Sequence, residues 1–196
     1  MVLDLVVSRD SSVVIDMSKS VSESYSSFVR HLSKYSPGVH DLKEGATSER
    51  LEKAEQVLGV HFPDDYREFL LRWNGGSLFH GDLILLGVQE DCHPESVCSP
   101  TLVSVNSSKC PTIPHSFLII ASYSYGDAIC LSFDGLLLGK VYLWNHETGE
   151  FTECWDSLES WLEYEMELGG RLYNFDGSRK KTLFEKAISR IGNLFK

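Results

Sequence analysis

Residues 51–76, LEKAEQVLGVHFPDDYREFLLRWNGG, limit the possible folds more than any other part of the chain. Their apolar side chains recur at helical spacing, and two stop signals punctuate them. Leu51, Ala54, Val57 and Leu58 fall on one face of a first helix, and Gly59 ends it. Pro63 opens a second helix, because its ring presets the backbone angle of a first helical turn. Asp64 and Asp65 then stand where the helix dipole favours negative charge. Tyr66, Phe69, Leu70 and Trp73 follow at i, i+3, i+4 and i+7 as one apolar stripe. Asn74 or Gly75 can take the left-handed conformation that closes a helix. Nothing here suggests catalysis; the segment reads as a scaffold that shows a surface.

Upstream, residues 3–7 and 13–15 alternate weakly and predict an edge strand pair joined through Asp10-Ser11-Ser12. Val21, Tyr25, Phe28, Val29 and Leu32 predict a helix that Ser36-Pro37-Gly38 terminates. Residues 40–46 read as a linker to Thr47 or Ser48, the helix N-cap. Downstream of Gly76 the pattern shifts to short apolar runs. Residues 83–86, 117–121 and 128–133 predict strands, the last two joined by a tight turn at Gly126-Asp127. Asp134-Gly135 turns the chain again, 141–144 is the next strand, and His146-Glu147-Thr148-Gly149 forms a hairpin loop into 151–154. A helix resumes at Ser157 with Leu158, Trp161, Leu162, Glu165 and Met166 along it. The polar insertion 89–114, with Pro94, Pro100, Pro111 and Pro114, is long enough to be functional or partly helical.

Helices, then an antiparallel meander, then helices make an α+β layout rather than alternating βαβ units. The expected sheet is antiparallel, with five to six strands and helices packed on one side and at its ends. Leu183, Phe184, Ala187, Ile188, Ile191, Leu194 and Phe195 form a further helical stripe among Arg179, Lys180, Lys181, Lys186 and Arg190. Docking of this basic helix on its own domain is the leading reading; an anionic membrane surface or a partner's groove are the alternatives. The expected organisation is an extension over 1–46 packed on the core, a domain over 47–168, and the basic amphipathic helix over 169–196.

Several motifs together carry a family resemblance. The Leu58-Gly59 step, FPDDY at 62–66, REFLLRWNGG at 67–76, FLIIASYSYGDAICLSF at 117–133 and GKVYLWNHETGEF at 139–151 resemble the SUKH superfamily. Within it they are most similar to the branch typified by the fungal cell-wall-synthesis regulator, the Smi/Knr-type domain. The resemblance covers residues 47–168 and implies an α+β domain that binds other proteins. In bacteria it implies immunity proteins that neutralise secreted toxins, many of them nucleases; in fungi it implies signalling scaffolds. Asp127 matches the family's acidic position after the glycine of the central strand pair, either as a partner contact or, the favoured reading, as a capped turn.

The charge pattern points the same way. The formal net charge is −10, yet residues 141–170 hold eight acidic side chains and no Lys or Arg, while 171–196 hold seven basic and two acidic. An acidic face repels nucleic acid and attracts basic proteins, so the expected partner is a protein such as a basic toxin domain. The same charge also keeps a protein soluble. No run of eighteen apolar residues and no secretory pattern is present, and the expected location is cytoplasmic. The five cysteines, Cys92, Cys98, Cys110, Cys130 and Cys154, lack paired C-x-x-C spacing, so free thiols are expected rather than a metal site, and no cofactor. Nucleophile-elbow, phosphate-loop, dinucleotide and zinc-protease motifs are missing. His146-Glu147, the nearest thing to an acid–base pair, falls at a solvated hairpin tip that does not tune a catalytic pKa.

The leading expectation is a non-enzymatic protein-binding module, most concretely an immunity protein. Glu147, Glu150, Glu153 and Asp156 would mimic phosphate charge toward a basic cleft, and Trp144 or Trp155 would anchor the contact. Tyr123, Tyr125 and Asp127 are adjoining candidates on the Gly126 turn. A regulatory scaffold without toxin binding is the second reading. An enzyme or small-ligand binder using 89–114 as a lid is the third.

Overall fold

The computed structural model describes residues 24–88 and 101–181. The expected strand pair at 3–7 and 13–15, Val21, the first part of the insertion and the stripe from Leu183 to Phe195 lie outside them. Among the described residues, seven strands form one antiparallel sheet in sequence order: β1 (Asp41–Glu44), β2 (Trp73–Leu78), β3 (Leu83–Leu85), β4 (Phe117–Tyr123), β5 (Ala128–Ser132), β6 (Val141–Trp144) and β7 (Phe151–Trp155). Five helices accompany it: α1 (Ser26–Leu32), α2 (Ser48–Leu58), α3 (Asp64–Arg72), α4 (Leu102–Ser107) and α5 (Leu158–Leu172). The class is α+β as expected, with a larger sheet.

The extra strands come from two segments that the periodicity assigned elsewhere. Residues 40–46 are not a linker; they hold β1, which pairs with β2. Trp73 does not complete the stripe of α3 but adopts an extended φ of −139° and begins β2. The helix passes straight into a strand, with no left-handed cap. Gly75 and Gly76 lie inside β2 at φ of 75° and 125°. A Cβ on Gly76 would sit 2.1 Å from Asp41 O, and one on Gly75 would sit 2.6 Å from Leu85 O. Glycine is required there because neighbouring strands press on the backbone.

Other local signals hold. Thr47 caps α2 through its hydroxyl, which accepts from the Arg50 N–H at 3.3 Å, and Gly59 ends α2 at φ 67°. Pro63 is itself the N-cap of α3. The α2 stripe is narrower than its spacing suggests, since Leu51 and Ala54 are buried but Val57 is 61% exposed.

The central strand β5 is buried on both faces, and α5 covers one of them. Register sets Leu83 opposite Tyr123, Leu85 opposite Ala121, Ile129 opposite Leu143 and Val141 opposite both Leu131 and Trp155, all on that face. Helix α5 starts with a capping box between Ser157 and Ser160 and buries Leu158, Trp161, Leu162 and Met166. Tyr25, Phe28 and Phe69 close around Trp73 with ring centroids 5.4–5.9 Å away. At its far end α5 continues past position 168 to Leu172, where Gly169 gives room to the Phe79 ring. The chain then turns back, and Tyr173 stacks on Phe79 at 5.5 Å.

The described part of the insertion, 101–114, is partly helical. Helix α4 sends Asn106 onto β4, where an extra residue interrupts pairing between Ile119 and Ala121. The buried Asn106 amide donates to Leu102 O and Ile119 O and accepts from Ile119 N–H, each at 2.8 Å. One side chain thereby satisfies the backbone groups that the bulge frees.

Candidate functional site

The β4–β5 and β6–β7 turns lie side by side at one end of the sheet and are tied by Asp127. Tyr123 N–H donates to Asp127 O at 2.9 Å and Gly126 N–H to Tyr123 O at 3.0 Å, which closes the first turn. Asp127 Oδ1 accepts from His146 N–H at 3.0 Å and lies 2.6 Å from His146 Nδ1. Gly126, at φ 113°, packs against the imidazole, and a Cβ there would meet the ring at 3.2 Å. Asp127 is only 7% exposed, so its carboxylate holds the two turns in register rather than facing outward.

The second turn is held by its own hydrogen bonds. Asn145 Oδ1 accepts from Glu147 N–H and Thr148 N–H, both at 2.9 Å. Asn145 N–H donates to Glu150 O and Gly149 N–H to Asn145 O, also at 2.9 Å. This side chain mimicry of a turn fixes the hairpin tip. Glu147 and Glu150 stand exposed on it, and Glu153 stands exposed on β7.

Aromatic rings border these carboxylates. Tyr125 is 60% exposed and stacks on Tyr123 with centroids 5.0 Å apart. The Tyr123 hydroxyl donates to Glu165, which also accepts from Trp161 Nε1 at 2.9 Å. Partial burial and the nearby charges of Asp127, Glu165 and Glu153 push the Tyr125 hydroxyl up to about 12. Along the same side, the Trp155 ring lies 5.1 Å from Tyr164. Burial raises the Tyr164 hydroxyl, and the nearby charge of Glu153 raises it further.

Four of the other five acidic residues of 141–170, all but Glu163, have a partner among the described residues. Glu165 is 3% exposed; burial pushes its carboxyl up while its two donors hold it down, so it belongs to the core and not to a surface field. Asp156 is exposed but lies 2.7 Å from Lys140, and that pairing keeps its carboxyl below the usual range. Glu159 accepts from Tyr25 N–H at 3.1 Å, and Glu167 stands 3.9 Å from Arg171. Among the described residues, Glu147, Glu150 and Glu153 make no ion pair. Trp144 is buried, 9% exposed, opposite Phe151, and Trp155 is half-buried beside Glu153.

Three features were hard to foresee from the residue pattern. Tyr164 joins the surface at the flank of α5 that meets Trp155, one turn from Ser160. His146 works as the partner of Asp127, not of Glu147. The β5–β6 turn exposes Leu136, Leu137 and Leu138, three apolar residues whose position just after Asp134-Gly135 was the available signal. Among the described residues no three His, Cys, Asp or Glu side chains converge as a metal site, and no helix is long and apolar enough to cross a membrane. Cys92, His93 and Cys98 lie outside those residues. A shallow cleft of about 260 Å³ is built from other residues, among them Glu52, Glu55 and His61.

Comparison with known proteins adds three findings. The sequence pattern of the SMI1 / KNR4 family (SUKH-1) matches residues 45–164. Over 43 residues the chain is 49% identical to the uncharacterized protein YnaB of Bacillus subtilis (strain 168), a match that takes in 22% of this chain and 30% of that relative. A crystal structure of a protein from Pseudomonas syringae pv. tomato shares 24% identity over 69% of this chain and 92% of that one, with a TM-score of 0.49.

Proposed function

This chain belongs to the SMI1 / KNR4 family (SUKH-1), and on that premise we propose that it is a non-enzymatic protein-binding module of the cytoplasm. Its most concrete role is that of an immunity protein that occludes a basic toxin domain. The observation that carries this reading is the trio Glu147, Glu150 and Glu153, exposed and outside any ion pair among the described residues, the first two on a turn that hydrogen bonds hold in place and the third on β7. Carboxylates fixed in this way present charge without first giving up internal partners. They speed encounter with a basic surface and set its orientation. Family membership supports protein binding as the general activity; the acidic relief supports a basic partner as the particular one.

The test is binding of the product of the adjacent gene, by calorimetry at low and high salt. Wild type is compared with a variant in which Glu147, Glu150 and Glu153 are all replaced by Lys. Affinity should fall on the order of 10² at low salt, with the difference narrowing as salt rises, because exposed charges are screened within about 10 Å at 0.1 M. Equal affinity of the two proteins would reject the electrostatic mechanism. A binding partner without toxic activity would favour the regulatory scaffold instead.

A further inference from the structure

We infer that Tyr125, Tyr164, Trp155 and Glu153 form a receptor for one guanidinium of the protein partner, an arginine side chain inserted at the edge of the sheet. The inference rests on the proposed protein-binding reading and narrows it from a charged surface to a single anchor.

Four observations carry it. First, the aromatic residues are exposed where a core would have hidden them: Tyr125 at 60% and Tyr164 at 37%, with Trp155 half-buried between core and solvent. Second, each is braced by a neighbouring ring. Tyr125 lies flat on Tyr123, whose hydroxyl is fixed on buried Glu165, and the Tyr164 ring leans on Trp155. Rigid aromatic rings lose little conformational freedom on binding. Third, the charge beside them is negative. Glu153 stands exposed on β7 and its charge acts on both Tyr164 and Tyr125, while no Lys or Arg occurs anywhere in residues 141–170.

Fourth, the same chemistry is already present elsewhere in the fold, where the Arg72 guanidinium rests 4.5 Å above the Trp73 ring. A cation over an aromatic face is attracted by the ring quadrupole, and a carboxylate at the rim adds directed hydrogen bonds. The planar guanidinium uses both together: it stacks on rings and forks toward a carboxylate. A lysine ammonium, compact and strongly hydrated, does this less well.

The probe is a short peptide, acetyl-Gly-Arg-Gly-amide, titrated into the full chain and followed by NMR at the Trp155 indole N–H and the Tyr125 and Tyr164 rings. Saturable shifts at these three residues with a Kd of about 1–10 mM are expected. The citrulline peptide, which keeps the shape and loses the charge, should bind at least fivefold more weakly, and the lysine peptide should lie between them. Tyr125→Leu combined with Tyr164→Leu should weaken arginine binding about tenfold, whereas Tyr125→Phe with Tyr164→Phe keeps the rings and most of the affinity. Both tyrosines are exposed, and an unchanged melting temperature confirms that each variant folds.

Shifts spread over the surface, equal binding of citrulline, or indifference to loss of the rings would each overturn the receptor. Those results would leave the wider reading intact, because that reading stands or falls on the charge-reversed trio and the whole partner. Conversely, Glu147→Lys with Glu150→Lys should leave the arginine peptide within twofold of wild type while impairing the whole partner.

Discussion

Lowering the pH from 7 to 4.5 should destabilise this protein through His40, and replacing His40 by Asn should remove that part of the loss. The His40 ring is held edge-on by Tyr35 and Phe79, with centroids 4.8 and 4.7 Å away. Its Nδ1 accepts from Phe79 N–H at 3.3 Å, while its buried Nε2 has no hydrogen-bond partner among the described residues. A proton added at Nδ1 would displace the Phe79 donor and place a charge in this aromatic setting. Burial, followed by the charge of His80, pushes the His40 pKa down to about 4.

The unfolded chain takes up the proton near 6.5 and the folded chain only near 4, so the unfolded state binds more protons between those values. Stability is therefore full above about 6.5 and declines as pH falls toward 4. At pH 4.5 the ceiling is about 2.6 kcal/mol; the half-buried ring reduces this to about 2 kcal/mol. Urea denaturation at both pH values measures the effect. His40→Asn retains an acceptor for Phe79 N–H, and its stability relative to wild type should improve by about 2 kcal/mol between pH 7 and 4.5. The carboxyls of Asp65 and Glu165 are shifted the opposite way by burial, but they are common to both proteins and cancel. A gap between the two proteins that does not change with pH, or a His40 resonance that titrates near 6.5, would refute the argument.

Asn106→Ala should lower stability by about 2–4 kcal/mol in urea denaturation, because the Ile119 N–H and Ile119 O lose their partner inside the protein and Leu102 O loses its side-chain donor. A loss under 1 kcal/mol would mean that water replaces the amide. Gly169→Ala places a Cβ 1.9 Å from the Phe79 ring and should lower the melting temperature sharply, equivalent to about 2 kcal/mol or more. Gly170→Ala meets only the Tyr35 hydroxyl at 3.5 Å and should be neutral or stabilising through helix propensity.

What could be read in the sequence follows from the range of the interactions involved. Thr47, Gly59 and Ser157 mark helix ends because caps are made within three or four residues, and those ends appear where expected. The β4–β5 and β6–β7 hairpins were legible for the same reason. Trp73 misled because an apolar residue at i+7 suits a helical stripe and an adjoining strand equally well. Only the approach of β1 and β3 to Gly76 and Gly75 selects the strand, and those strands come from distant sequence. Residues 40–46 hid β1 for a related reason: a short edge strand with three charged residues in four carries no inward alternation. At the candidate site, exposure of Glu147 and Glu150 followed from the hairpin, but Tyr164 meets Trp155 and Glu153 only after α5 has folded back.

Net charge alone is a poor guide to where a partner lands on this molecule. Eight carboxylates occur in 141–170, yet packing assigns several of them to internal tasks. Glu165 sits under Tyr123, Glu159 receives Tyr25 N–H, and Asp156 faces Lys140. Each of those would have to give up a partner before serving another molecule, and the loss offsets what a new contact gains. Glu147, Glu150 and Glu153 face no such exchange among the described residues. The turn that carries the first two is fixed by Asn145 and by the Asp127–His146 contact, and the third by its place in β7. Asp127, though it gives up no surface of its own, therefore governs the site: replacing it would leave every exposed carboxylate present and release the geometry in which they act together.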